Sequence, residues 1–99
     1  MKTVHKYVIP FDSGGLQLDL AQGYQVLKSE YMPIGKAVCC WIEVPTAPCM
    51  PKSQVHLRLF LSGDGIPQRY HYVDTALNPL EPEAWHLYLA EQETALEVA

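Results

Sequence analysis

The sequence predicts an all-β domain, an antiparallel sandwich or small barrel of about seven short strands followed by a short acidic C-terminal tail. Two stretches, Leu16–Leu20 and Gln54–Ser62, alternate apolar and polar residues with a period of two, as half-buried strands do. Turn signals recur roughly every 12 residues, the spacing of sandwiches and barrels. No convincing helical pattern separates the strands, so a parallel βαβ arrangement is not expected. The 99 residues make one domain, with a β body over 1–90 and the tail over 91–99.

The first strand, Thr3–Ile9, is a β-branched and aromatic run stopped by Pro10. Asp12-Ser-Gly-Gly15 then reads as a turn. Over Gly15–Leu20, Leu16, Leu18 and Leu20 share one face, with Gln17 and Asp19 on the other. Ala21-Gln-Gly23 breaks that strand, and Tyr24–Met32 is a longer, weaker one. Pro33-Ile-Gly35 is a compact turn that predicts a hairpin with Lys36–Val44. That strand, KAVCCWIEV, is apolar on both parities and is expected at the centre of a sheet, with Trp41 anchoring the core.

Pro45–Ser53 holds three prolines and is expected as an exposed loop. In Gln54–Ser62, Val55, Leu57, Leu59 and Leu61 face inward while His56 and Arg58 face outward. The stretch SGDG (Ser62–Gly65) predicts a turn joining strands, with Gly63 or Gly65 in the left-handed region. Arg69–Thr75 is the next strand and Ala76–Glu83 a proline-rich connection. Ala84–Ala90 closes the set, with Trp85, Leu87 and Leu89 on one face. Glu91–Ala99 is a short acidic tail with room for one or two helical turns.

Net charge is −4, and it is unevenly placed. Residues 1–80 balance to +1, whereas 81–99 carry five glutamates and no basic residue. With no broad basic face, duplex nucleic acid is not an expected partner. The acidic end reads as a solubilising tail or as a contact for a basic surface. Three cysteines, two of them adjacent, do not form a secreted disulfide framework and fit a reducing cytosol. The start, MKTVHKYVIPFD, lacks the long apolar region of a signal peptide. No apolar run approaches the roughly 18–20 residues of a membrane span.

No catalytic constellation emerges, and the expectation is that the protein is not an enzyme. Cys39 and Cys40 lie in the most apolar strand, where burial makes a thiol inert. Cys49 is in an exposed loop with no histidine near it in sequence. His5, His56, His71 and His86 are dispersed one to a strand, without the close Cys/His spacing of a zinc site, so neither metal nor cofactor is expected. No pair of carboxylates stands out for acid–base work. The segment most suited to recognition is SGDGIPQRYHYVDT, residues 62–75. Asp64 and the strands on either side disfavour phosphate cradling there. Beyond the turn, Arg69, Tyr70, His71 and Tyr72 combine a guanidinium with aromatic rings able to stack a base or hold an anion. On parity, Tyr70 and Tyr72 share one face and Arg69 and His71 the other, with one pair expected in the core. The candidate binding residues are Asp64, Arg69, Tyr70, His71, Tyr72 and His86.

Several short motifs together resemble a family of small bacteriophage proteins of unknown function. These are Lys6-Tyr7, Val26-Leu27, Trp41, Gly63-Asp64-Gly65-Ile66-Pro67, Tyr72-Val73-Asp74-Thr75 and Trp85-His86-Leu87, spread over residues 3–89. Asp64 stands where that pattern has threonine, and the histidine before its Pro-Ile pair has no counterpart here. The resemblance implies a viral protein acting in the host bacterial cytoplasm, and it implies no activity. The leading expectation is an accessory protein that binds a host protein such as a defence component. The alternatives are a binder of a small nucleotide or signalling molecule, and a virion structural or assembly protein. Unpaired sheet edges would also allow a homodimer.

Overall fold

The computed structural model describes residues 1–12 and 14–92. Seven strands build it: β1 (Lys2–Ile9), β2 (Leu16–Ala21), β3 (Gln25–Met32), β4 (Ala37–Pro45), β5 (Lys52–Leu61), β6 (His71–Leu77) and β7 (Ala84–Gln92). They form two sheets, one of three strands in the order β1-β4-β3 and one of four in the order β2-β5-β7-β6. All hydrogen-bonded neighbours run antiparallel. The two sheets stack as a sandwich, and among the described residues no strand pairing closes them into a barrel.

The inner faces follow the alternation read from sequence. Val55, Leu57 and Leu59 of β5 and Leu87 of β7 meet Val38, Cys40 and Ile42 of β4, all of them buried. Leu20 from β2 and Ile9 from β1 join the same core. The hairpin expected at Pro33 is present, with the Lys36 N–H donating to the Pro33 carbonyl, and β4 is the central strand of its sheet. Trp41 departs from its expected role. It shares parity with Cys39 and Glu43 on the outer face of β4, half-buried, with the Lys6 ammonium 5.7 Å from its ring. The tryptophan packed against the core is Trp85, which lies 4.5 Å from the Phe11 ring and donates its Nε1–H to Glu83 Oε1.

A carboxylate joins the sheets along one side. β6 has a bulge between Tyr72 and Asp74, which turns both Val73 and Asp74 toward the other sheet. Asp74 Oδ2 accepts the Ser29 N–H at 2.8 Å and the Ser29 hydroxyl at 2.9 Å. β3 has its own bulge between Val26 and Lys28, just before Ser29. Two edge strands from different sheets are thus tied by one side chain. Burial on its own would raise the Asp74 pKa. The bonds from Ser29, the Thr75 N–H and the charge of Lys28 outweigh it and leave the carboxyl below its ordinary range.

β7 runs two residues further than the sequence pattern marks, so Glu91 belongs to a strand rather than to the tail. Its carboxylate accepts the Tyr24 hydroxyl at 2.6 Å, and burial together with that carboxylate pushes the Tyr24 pKa up. The rest of the tail, 93–99, lies outside the described residues.

A tyrosine-rich outer face as candidate functional site

The topology decides where residues 62–70 go. β5 and β6 are both antiparallel to β7, which lies between them, and so they run parallel to each other. Leu61, at the end of β5, stands level with Trp85 and Ala76, while His71, at the start of β6, stands level with Leu89 and Leu57. The connection must therefore travel back about 13 Å, four residues of strand rise. A tight hairpin does not connect parallel strands. SGDG is instead the first corner of a crossover, and the crossover brings Tyr70 down on the outer face of the four-stranded sheet.

The corner is tightly bonded. Gly63 takes φ 94°, which meets one of the two glycine expectations. The Asp64 N–H donates to the Leu61 carbonyl at 3.0 Å, and Asp64 Oδ2 accepts the Leu61 N–H at 2.8 Å. Asp64 braces the turn and does not join the other candidates. A second corner closes where the Tyr70 N–H donates to the Pro67 carbonyl at 3.0 Å.

On the outer face Tyr70 covers Phe60, which is only 1% exposed although it points away from the sandwich core. Phe60 meets Tyr70 edge-on at 5.6 Å and Tyr88 edge-on at 5.4 Å, and Tyr88 in turn meets Tyr72 at 5.7 Å. Such T-shaped contacts are favoured by the ring quadrupoles. Arg58 stacks on Phe60 at 4.6 Å and Arg69 on Tyr70 at 5.1 Å. The Arg58 Nε is buried without a hydrogen-bond partner among the described residues. Among those residues neither guanidinium forms a salt bridge; the one ion pair, Lys2–Glu43, is on the other sheet.

Two imidazoles hold the tyrosines. His56 Nε2 lies 2.7 Å from the Gly14 carbonyl, which can only accept, so this nitrogen carries the proton. His56 Nδ1 then accepts the Tyr70 hydroxyl at 2.8 Å, and Arg69 Nη2 reaches that hydroxyl oxygen at 3.5 Å. His86 sits between two hydroxyls, with Ser62 Oγ 2.9 Å from its Nε2 and Thr75 Oγ1 3.0 Å from its Nδ1. Thr75 Oγ1 is also 2.8 Å from the Tyr72 hydroxyl. Tyr72 is 57% exposed, yet its ring is fixed at both ends, by Tyr88 and by this chain of hydroxyls. An exposed aromatic ring already held in one orientation loses little conformational freedom on binding.

Of the six residues named from sequence, Arg69, Tyr70, Tyr72 and His86 converge here. His71 is exposed at the start of β6 and makes no hydrogen bond within the face among the described residues. Tyr70 and Tyr72 do share a face, as parity requires, but it is the outer one, so neither pair lies in the inter-sheet core. Sequence reading left out His56, Arg58, Phe60 and Tyr88 as site residues. The available signal was the outward parity of β5 and β7, on which all four lie.

Two of the three cysteines are poorly disposed for chemistry. Cys39 and Cys40 are fully buried. Burial pushes the Cys40 pKa up to about 12, helped by Cys39. Burial and Glu30 raise that of Cys39 against the opposing charge of Lys6. Cys49 is exposed. Among the described residues no three His, Cys, Asp or Glu side chains are grouped to hold a metal ion, and no helix is long and apolar enough to cross a membrane.

The chain belongs to a family described as a domain of unknown function (DUF7352), matched over residues 1–97. Neither the curated proteins nor the solved structures contain a match.

Proposed function

We propose that this domain is a small phage-encoded accessory protein that acts by binding, docking a host protein through the outer face of its four-stranded sheet. A host defence component is the partner class that fits such a role. The observation behind this reading is the pre-set Tyr72–Tyr88–Phe60 face flanked by Arg58, whose guanidinium faces no carboxylate among the described residues. Tyrosine and arginine are the residues on which interface energy concentrates. An uncompensated guanidinium calls for an acidic group on the partner. The resemblance of several short motifs to those of small phage proteins is what supports the viral setting.

The test is capture from bacterial lysate, identification of the retained protein, and direct titration with that protein purified. Tyr72→Ala and Arg58→Ala each weaken binding about tenfold or more, as removal of an interface anchor does. Lys2→Ala, on the opposite sheet, leaves it unchanged. Equal affinity in all three variants would refute the choice of face. Recovery of the protein as a stoichiometric component of purified virions would refute the accessory role.

A further inference from the structure

We infer that a cleft beside this face is a binding site for a nucleoside monophosphate with an amino-bearing base. The cleft has a volume of about 320 Å³ and is lined by Gln17, Gln54, His56, Arg69, Ala90 and Glu91. That volume is at the lower end of those of small-molecule sites.

Its floor is the outer face of β2, β5 and β7. Gln17 lies opposite His56 in the β2–β5 register, and Ala90 lies opposite His56 in the β5–β7 register. Small Ala90 leaves the space open. The His56 wall is rigid, because the Gly14 carbonyl and the Tyr70 hydroxyl occupy both ring nitrogens. Arg69 is held against Tyr70 by stacking and by its contact with the Tyr70 hydroxyl, and forms no ion pair among the described residues.

The unspent groups define the ligand. Neither the Gln17 nor the Gln54 carboxamide has a hydrogen-bond partner among the described residues, whereas the fixed groups around them do. Carboxamides present a donor and an acceptor together, the complement of a nucleobase edge. Glu91 shares the inward parity of Leu87 and Leu89 and gives its carboxylate to the Tyr24 hydroxyl, so it supplies no acceptor to the outer face. Asp19 stands opposite Gln54 in register. Its carboxylate, on the outward parity of Gln17, favours an exocyclic amine and repels an anion, so the oxyanion goes to the Arg69 side and the base to the Gln54 side. Adenine, cytosine and guanine carry that amine, and uracil does not. The site is separate from protein docking, since Arg58 and Tyr72 do not line the cleft.

The experiment is two-dimensional NMR of the ¹⁵N-labelled full chain, following the side-chain amide signals of Gln17 and Gln54. The probes are AMP, CMP, GMP and UMP, adenosine and inorganic phosphate, each titrated to millimolar concentration. The expected result is saturable movement of both amide pairs with at least one amino-bearing monophosphate, with weaker responses to UMP and adenosine and the weakest to phosphate. Arg69→Ala raises Kd about tenfold or more, and Gln54→Ala about threefold or more, the effects of losing a charged and a neutral hydrogen bond. Arg69 is exposed, and a backbone spectrum unchanged in its variant shows that the fold is kept. Stationary amide signals across the panel overturn the proposal, as do equal responses to UMP and the others, or wild-type affinity in Arg69→Ala. None of these outcomes bears on capture of a host protein by the Tyr72 face.

Discussion

Replacing Asp74 with alanine removes the acceptor that ties the two sheets at their β3 and β6 edges. Two donors lose their partner, the Ser29 N–H at 2.8 Å and the Ser29 hydroxyl at 2.9 Å. Ser29 is buried, at 4% exposure, so water does not readily replace the carboxylate. A hydrogen bond to a charged acceptor contributes about 1.5–3 kcal/mol, and a stranded buried N–H costs a similar amount. Asp74 keeps partial exposure, which places the expected loss at about 2–4 kcal/mol. For a domain of this size each kcal/mol moves Tm by about 4–8 °C, so the melting point falls by at least about 8 °C. Ser29→Ala removes only the hydroxyl and costs about 1 kcal/mol. The two changes are not additive, because they share a bond. Urea denaturation of wild type, both single variants and the double variant measures the coupling. A loss under about 0.5 kcal/mol in Asp74→Ala, or full additivity, would show that the clamp does not hold the sheets together.

The same carboxylate sets a pH dependence. Its pKa is lowered in the folded state, so its contribution is complete above the unfolded value of about 3.9 and is lost as pH falls through the folded value. Chemical denaturation should give a constant gap between wild type and Asp74→Ala from neutral pH to pH ~5, closing only in stronger acid. Gly15→Ala should be severely destabilising, by at least about 2 kcal/mol. Gly15 has φ 61°, and an added Cβ would lie 2.3 Å from the Leu57 carbonyl oxygen; thermal melting checks it. Tyr70→Phe strands His56 Nδ1 and should cost about 1 kcal/mol in the same assay. With a chromogenic thiol reagent Cys49 should react at once, while Cys39 and Cys40 react only on unfolding.

Local pattern was enough for the strands. Period-two alternation in β2 and β5 follows from the geometry of any extended chain with one face buried, and the chain carries it without reference to what covers that face. The β3–β4 hairpin was legible because Pro33 and Gly35 encode a turn within four residues. The double-apolar run of β4 marked a central strand for the same local reason. Trp41 lies outside the core expected for it because hydrophobicity does not say which side of a doubly apolar strand the core lies on, and only sheet stacking does. SGDG encodes a bonded corner, but whether a corner leads to an adjacent or a distant strand depends on strand order. That order places β7 between β5 and β6, sends residues 62–70 back across the sheet, and lays Tyr70 on Phe60. His56, Arg58, Phe60 and Tyr88 thereby become one face with Tyr72 and His86, although up to 32 residues separate them in the chain. The sequence by itself determined the strands and their turns, which are local. The tertiary structure decided the site, because the site exists only where the crossover folds back.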